Sequence, residues 1–267
     1  MKTQEYLDKY NEAKERYLAG GISLTKLAAQ YGLDRGTFAK NLKQDRITII
    51  NEQNKSRMNQ YFFDNIDTEE KAYWLGFLYA DGAIGSSNNS IELSLKSSDS
   101  HHLDKFISSL NFKNKTIFKD DIRCRVTFQN KHLHDRLIQL GCTPRKSLTL
   151  TFPSFEQVPN TLIRHFIRGY IDGDGSVMIG LNHKKERVVP RLSILGTESF
   201  LKSLILTMGW KENNISHPSG AFAVEWGGKY VFKYLEDLYK DSTIYLDRKY
   251  QRFLYLQNIF ADNKSQD

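Results

Sequence analysis

Two nine-residue segments, Trp74-Leu-Gly-Phe-Leu-Tyr-Ala-Asp-Gly82 and Ile167-Arg-Gly-Tyr-Ile-Asp-Gly-Asp-Gly175, constrain this chain more than any other feature. They share the pattern G-aromatic-aliphatic-x-small-D-G and end 93 residues apart, at Gly82 and Gly175. An internal repeat of this period is sought before a fold is argued, because each copy must then be one structural unit. The segments downstream of the two copies are also alike. Alternating strands are predicted at Ile91–Lys96 and Arg191–Leu195, and amphipathic helices at Leu103–Leu110 and Phe200–Met208. Strand pairs come next, Thr116–Lys119 with Arg123–Gln129 and Asn214–His217 with Phe222–Trp226. Each block closes in a helix, near Lys131–Leu140 and Tyr230–Tyr239. The order helix-strand-strand-helix-strand-strand-helix therefore occurs twice, an α+β organisation. An Asp67/Glu70 capping pair is expected to open the first motif helix near Thr68.

The spacing inside the motifs has a physical logic. Gly76 and Ala80 are four apart, as are Gly169 and Gly173, so each pair of small residues lies on one helical face. Helices packed through those faces approach closely, and their carboxyl ends bring Asp81 and Asp174 together. Adjacent carboxylates repel unless a proton or cation lies between them. A divalent ion with a preference for oxygen ligands, such as Mg²⁺, is the natural resolution at neutral pH.

On these residues the chain resembles the LAGLIDADG homing endonucleases in their two-motif, single-chain form, over about residues 67–260. The resemblance implies two pseudo-symmetric αββαββα half-domains with saddle-shaped antiparallel sheets in the DNA major groove. It implies a monomer that hydrolyses both strands of a long, asymmetric duplex, with Mg²⁺ (Mn²⁺ as substitute) as cofactor. Carried onto this sequence, the metal ligands are Asp81 and Asp174, helped by the carbonyls of Ala80 and Gly173. A family lysine at the end of the second strand maps to Lys96, whereas the second half reads Leu195-Gly196-Thr197 there. Lys146 and Lys249, late in each half in CTPRKS and YLDRKY, are further catalytic candidates. Tyr79 stands where the second motif has Asp172. A non-cleaving DNA-binding regulator or RNA-splicing cofactor on the same scaffold remains the alternative.

The strand Arg123–Gln129 alternates strictly, placing Arg123, Arg125, Thr127 and Gln129 on one face. Arginine and glutamine are side chains that read guanine and adenine edges, so this face is expected to meet DNA, with Arg187, Arg191 and Ser193 as counterparts in the second half. Four charges of the overall +7 fall in residues 1–60, which hold 11 Lys/Arg against 7 Asp/Glu. There, helices are expected over Asn11–Ala19, ended by Gly20-Gly21, over Leu24–Tyr31, capped by Ser23, and over Arg35–Leu42, capped by Asp34. The second pair fits a helix-turn-helix. Leu27, Tyr31, Leu33 and Phe38 form its core, and Arg35, Thr37, Lys40 and Lys43 are exposed toward DNA. The expected boundaries are a DNA-binding module at 1–45, a polar linker at 46–66, and half-domains at 67–158 and 159–267.

Other chemistries find no support. Asp172-Gly-Asp174-Gly-Ser176 begins like a calcium loop, but Val177 and His183 stand where glycine and glutamate are needed. Cys124 and Cys142 lack zinc-ligand spacing and are expected to be packed thiols in a reducing compartment. His101, His102, His132 and His134 are expected to be solvated. No apolar run approaches the roughly 20 residues of a membrane span, and the amino terminus lacks an apolar signal core, so a cytoplasmic protein is expected.

Overall fold

In a computed structural model the chain divides into two compact units, residues 1–57 and 58–267. The structure describes residues 3–18, 22, 24–45, 47, 58–113, 115–182, 187–217 and 221–264.

In the first unit, α1 (Gln4–Leu18), α2 (Leu24–Gln30) and α3 (Arg35–Gln44) enclose a small core. Tyr10, Ala13 and Tyr17 of α1 pack on Leu27, Ala28, Phe38 and Leu42, with the Tyr10 ring edge-on to Phe38. Helix α1 begins seven residues before the expected Asn11, because Tyr10 is a core residue and a Lys9–Glu5 ion pair at i,i+4 supports the added turn. The α2–α3 turn needs a left-handed residue, supplied by Gly32 at φ +64°. As expected, Asp34 caps α3, its Oδ1 accepting from the Thr37 N–H at 2.8 Å. Gly20, Gly21 and Ser23 lie outside the described residues.

The second unit contains the doubled order anticipated above. The first block is α4 (Glu69–Asp81), β1 (Gly82–Ile84), β2 (Ser90–Lys96), α5 (Ser100–Ser109), β3 (Phe118–Lys119), β4 (Arg123–Gln129) and α6 (Lys131–Gln139). The second is α7 (Ile163–Asp174), β5 (Gly175–Asn182), β6 (Arg187–Gly196), α8 (Glu198–Met208), β7 (Ile215–Ser216), β8 (Phe222–Gly227) and α9 (Lys229–Tyr239). Each block forms one four-stranded antiparallel sheet with the same neighbour order, β1-β2-β4-β3 and β5-β6-β8-β7. Register also matches: Gly82, just past the first motif helix, pairs with Leu93, and Gly175 pairs with Ile194. One face of each sheet is apolar and buried, through Leu93 and Val126 in the first and Ile194 and Val224 in the second.

Helices α4 and α7 form the seam between the blocks. A Cβ built on Gly76 would lie 1.9 Å from the carbonyl oxygen of Phe166, and one on Gly169 would lie 2.0 Å from that of Tyr73. Backbone meets backbone at both crossings, so only glycine fits.

Four expectations change. The stretch taken as linker is packed from residue 58 onward: Met58, Phe62, Phe63 and Ile66 are buried with the second unit's core. Arg136 fixes this segment by donating to the carbonyls of Phe63 and Asp64. Helix α4 is capped by Thr68, whose hydroxyl accepts from the Lys71 N–H at 3.3 Å; Asp67 instead pairs with the Lys71 ammonium, and Glu70 accepts from Ser109 Oγ. His102 and His134 are buried, not solvated. Nε2 of His102 meets the Tyr73 hydroxyl while its buried Nδ1 finds no hydrogen-bond partner among the described residues, and Nε2 of His134 faces the Gly85 carbonyl. A final helix, α10 (Asp247–Lys264), follows the second block, with Phe253 stacked on Tyr239. Cys124 and Cys142 are free and buried, and burial pushes the Cys142 thiol up to about 12. Among the described residues no helix is long and apolar enough to cross a membrane.

Candidate metal and nucleic-acid site

The carboxyl ends of α4 and α7 meet where the small-residue faces continue. A Cβ on Gly173 would stand 2.3 Å from the Ala80 Cβ and 3.2 Å from Asp81 Oδ2. The first carboxylate is therefore laid against the residue preceding Asp174. Burial pushes the Asp81 carboxyl up to about 6, and the charge of Asp174 adds to the effect. Lys249, Lys146 and Arg248 pull in the other direction. Asp174 is raised as well, by burial, against the same two lysines. Two partly buried carboxylates that repel favour a proton or a cation between them.

Among the described residues, no group of three or more His, Cys, Asp and Glu side chains could hold a metal ion. An ion at the seam would thus draw on two carboxylates, backbone carbonyls and non-protein oxygens. That incomplete oxygen set suits Mg²⁺, which keeps several waters and binds substrate phosphate, better than it suits an ion needing a closed cage.

Lys146 and Lys249 occupy matching places. Lys146, beside the left-handed Arg145 at φ +57°, donates to the Gly82 carbonyl. Lys249 donates to the equivalent Gly175 carbonyl at 2.5 Å, and also to those of Ile171 (2.6 Å), Asp172 (2.7 Å) and Gly173 (3.4 Å). A cation at the carboxyl end of a helix satisfies carbonyls that lack intrahelical donors and opposes the helix dipole. Lys249 is only 1% exposed, and burial lowers its ammonium to about 8. It serves the turn after Asp174 as a structural clamp, whereas the half-buried Lys146 has donors to spare. Accordingly, Lys249→Met is expected to cost about 3 kcal/mol, as breaking a buried charged contact does, and Lys146→Met about 1 kcal/mol, read as urea-unfolding midpoints.

Sequence reasoning missed Arg248. Its Nε donates to the buried Asp99 carboxylate of the first block at 2.8 Å while its charge bears on Asp81. The doubled Arg-Lys dipeptide, at 145–146 and 248–249, was the available signal. Also missed was the role of Asp172, which is fully buried and accepts from the hydroxyls of Tyr73 (2.8 Å) and Tyr239 (2.5 Å) and from the Leu246 N–H (2.8 Å). It ties α7 to α4 and α9. Tyr79, its counterpart, instead donates to the Leu140 carbonyl.

The same architecture exists in solved structures. The homing endonuclease I-GzeII, in complex with its DNA target, aligns with a TM-score of 0.51 at 12% identity, over 73% of this chain and 91% of that one. I-LtrWI, bound to target DNA, aligns with a TM-score of 0.50 at 14% identity, over 74% of this chain and 92% of that one. The chain has the LAGLIDADG homing-endonuclease fold. No protein-family model and no curated protein matches the sequence, so the likeness lies in the three-dimensional arrangement.

Within the LAGLIDADG fold the remaining sequence-predicted residues fall on two surfaces. Lys96 lies exposed at the end of β2, three residues beyond Leu93 and opposite Arg123. The pleat decides this, since the strand runs on past Gly82 and turns Lys96 onto the outer sheet face. That face also exposes Arg123, Arg125, Thr127 and Gln129. In the second sheet Arg191 is exposed and lies 3.7 Å from Glu225, and Ser193 pairs with Glu225 across the ladder. Arg187 is on β6, its side chain outside the described residues. In the first unit Lys40 and Lys43 are exposed on α3, and Arg35 donates to Thr25 Oγ1. The Thr37 hydroxyl is committed to Asp34 at 2.8 Å and is thereby withdrawn from any partner needing it as donor.

Proposed function

We propose that this chain is a divalent-metal-dependent DNA endonuclease that hydrolyses both strands of a long, asymmetric duplex and acts as a monomer inside the cell. The observation that carries the reading is the Asp81–Asp174 pair: two repelling carboxylates held together at a helix seam. A scaffold that only bound DNA would gain stability by losing one of them.

Asp81 and Asp174, with the carbonyls of Ala80 and Gly173, would hold Mg²⁺ or Mn²⁺. When bound, the ions supply Lewis-acid charge and an acidified water. The protein's own contribution is geometric and electrostatic. Asp81 and Asp174 orient the attacking water and the scissile phosphates about the pseudo-two-fold axis. Lys146 sets positive charge where phosphate oxygens gain negative charge. Lys249 and Arg248 position the turn that carries Asp174 and the surroundings of Asp81. The outer sheet faces, with Lys96, Arg123 and Arg125 on the first, suit a major groove. The α2–α3 pair is assigned as a helix-turn-helix whose Arg35, Lys40 and Lys43 meet phosphates. Joint Lys40→Ala and Lys43→Ala substitution is then expected to weaken binding to all sequences alike and to flatten the dependence of log affinity on log salt by about 2, read by titration at several ionic strengths.

The direct test is cleavage of a plasmid carrying the uninterrupted sequence around the gene's insertion point, with Mg²⁺ and with chelator. Linear product that appears only with metal supports the nuclease. Tight, salt-sensitive binding of that site without any cut defeats it and favours the regulator or RNA-splicing cofactor.

A further inference from the structure

The matching registers of the two sheets place their outer residues in correspondence. Because Gly82 pairs with Leu93 and Gly175 with Ile194, the row Ala83–Glu92–Thr127 corresponds to Ser176–Ser193–Glu225. The next row, Ser94–Arg125–Phe118, corresponds to Leu195–Ala223–Ser216. The chemistry at these paired places differs. In the first sheet the Arg125 guanidinium lies over the Phe118 ring, 4.9 Å from its centroid, and Lys96 pairs with Arg123 one row on. At the corresponding place the second sheet offers Leu195, 42% exposed, beside the small Ala223. Met178, another apolar residue of that outer face, is 43% exposed. Among the described side chains of these two rows the second sheet has no cation.

From this contrast we infer that the enzyme reads its two half-sites by different chemistry: guanine edges beneath Arg125 and Arg123, and thymine methyl groups beneath Leu195 at the pseudo-symmetric base pair. The inference rests on the endonuclease reading and specifies its substrate. An arginine fork matches the O6 and N7 acceptors of guanine, and the thymine C5 methyl is the major-groove group an apolar side chain recognises. The cation-π contact with Phe118 restricts the Arg125 side chain, which lowers the ordering cost of using its fork. Glu92, accepting from the Thr127 hydroxyl at 2.8 Å in the adjacent row, places a carboxylate where a cytosine N4 amine can donate. The half-sites are therefore G·C-rich on one side and T-bearing on the other at corresponding positions. This makes the target non-palindromic at the pairs where the two sheets differ in chemistry.

The test is selection of bound duplexes from a randomised library by the full-length chain in Ca²⁺, which takes oxygen ligands like Mg²⁺. It is run for the parent, Arg125→Ala and the double variant Ser94→Leu/Arg125→Ala; all these side chains lie on the outer sheet face. The parent consensus is expected to carry guanine at one pair and thymine at its mirror position. Arg125→Ala is expected to lose about ten- to a hundred-fold of discrimination at the guanine alone. The double variant is expected to prefer thymine there, making the consensus palindromic at that pair. Uniform weakening of the variants with an unchanged consensus would show Arg125 to be a phosphate contact and would overturn the inference while leaving DNA binding intact. Failure of the parent to enrich any duplex would overturn the endonuclease reading and the inference with it.

Discussion

Asp81→Asn and Asp174→Asn are each expected to leave a folded protein that still binds its duplex but cuts it at least about a hundred-fold more slowly. Even changes in the outer shell of a metal site cost activity by up to that factor, and these are the proposed ligands themselves. Single-turnover cleavage with saturating Mg²⁺ measures the loss, and gel shift confirms that binding persists. A companion effect separates a metal site from ordinary structural carboxylates. With chelator at pH 7, the Asp81→Asn protein is expected to be more stable than the parent, by on the order of 2 kcal/mol, since a tenfold change in proton affinity is worth about 1.4 kcal/mol. The sign follows from Asp81 being raised from 3.8 to about 6 on folding. Its protonated form is favoured in the fold, so the associated stability is full below about pH 4 and is lost as pH rises through about 6. The parent should therefore lose stability across that window in chelator, the Asp81→Asn protein should lose less, and Mg²⁺ should restore the parent. A parent stabilised by its own carboxylates in chelator would contradict the placement of the pair.

Gly76→Ala or Gly169→Ala is expected to destabilise the protein by about 3 kcal/mol or more. Overpacking within a core costs about 1–3 kcal/mol where neighbouring side chains can yield. Here the added methyl meets the carbonyl oxygen of Phe166 or of Tyr73, and neither helix backbone can yield without separating the two blocks. Alanine's better helix propensity returns only about 1 kcal/mol. The same displacement parts Asp81 from Asp174, and a shift of about 1 Å in a catalytic array can cost about a hundred-fold in rate. Urea midpoints and cleavage rates, taken on the same preparations, should fall together. Unchanged stability would mean that α4 and α7 do not cross as closely as Gly76 and Gly169 require.

The sequence by itself determined the repeat, and through it the α+β order, the two Asp-Gly helix ends and the small-residue faces that bring them together. These are local properties: a glycine at i,i+4 spacing or an alternating Arg-x-Arg-x-Thr strand states its periodicity without reference to distant residues. The Asp34 cap, the Gly32 turn and the buried thiols were legible for the same reason. Only the tertiary structure decided where Lys96 and Lys249 go. Register carries Lys96, 15 residues after Asp81, past Gly82 onto the outer face, and the fold brings Lys249 back to the end of α7 from 75 residues beyond Asp174. Burial of the 58–66 segment, the buried ring of His102 and the three donors gathered on Asp172 were equally invisible, since each depends on which distant surface covers it. Periodicity is written along the chain, whereas the partner of a polar group is set by packing between elements far apart in sequence, and no short stretch of residues encodes it.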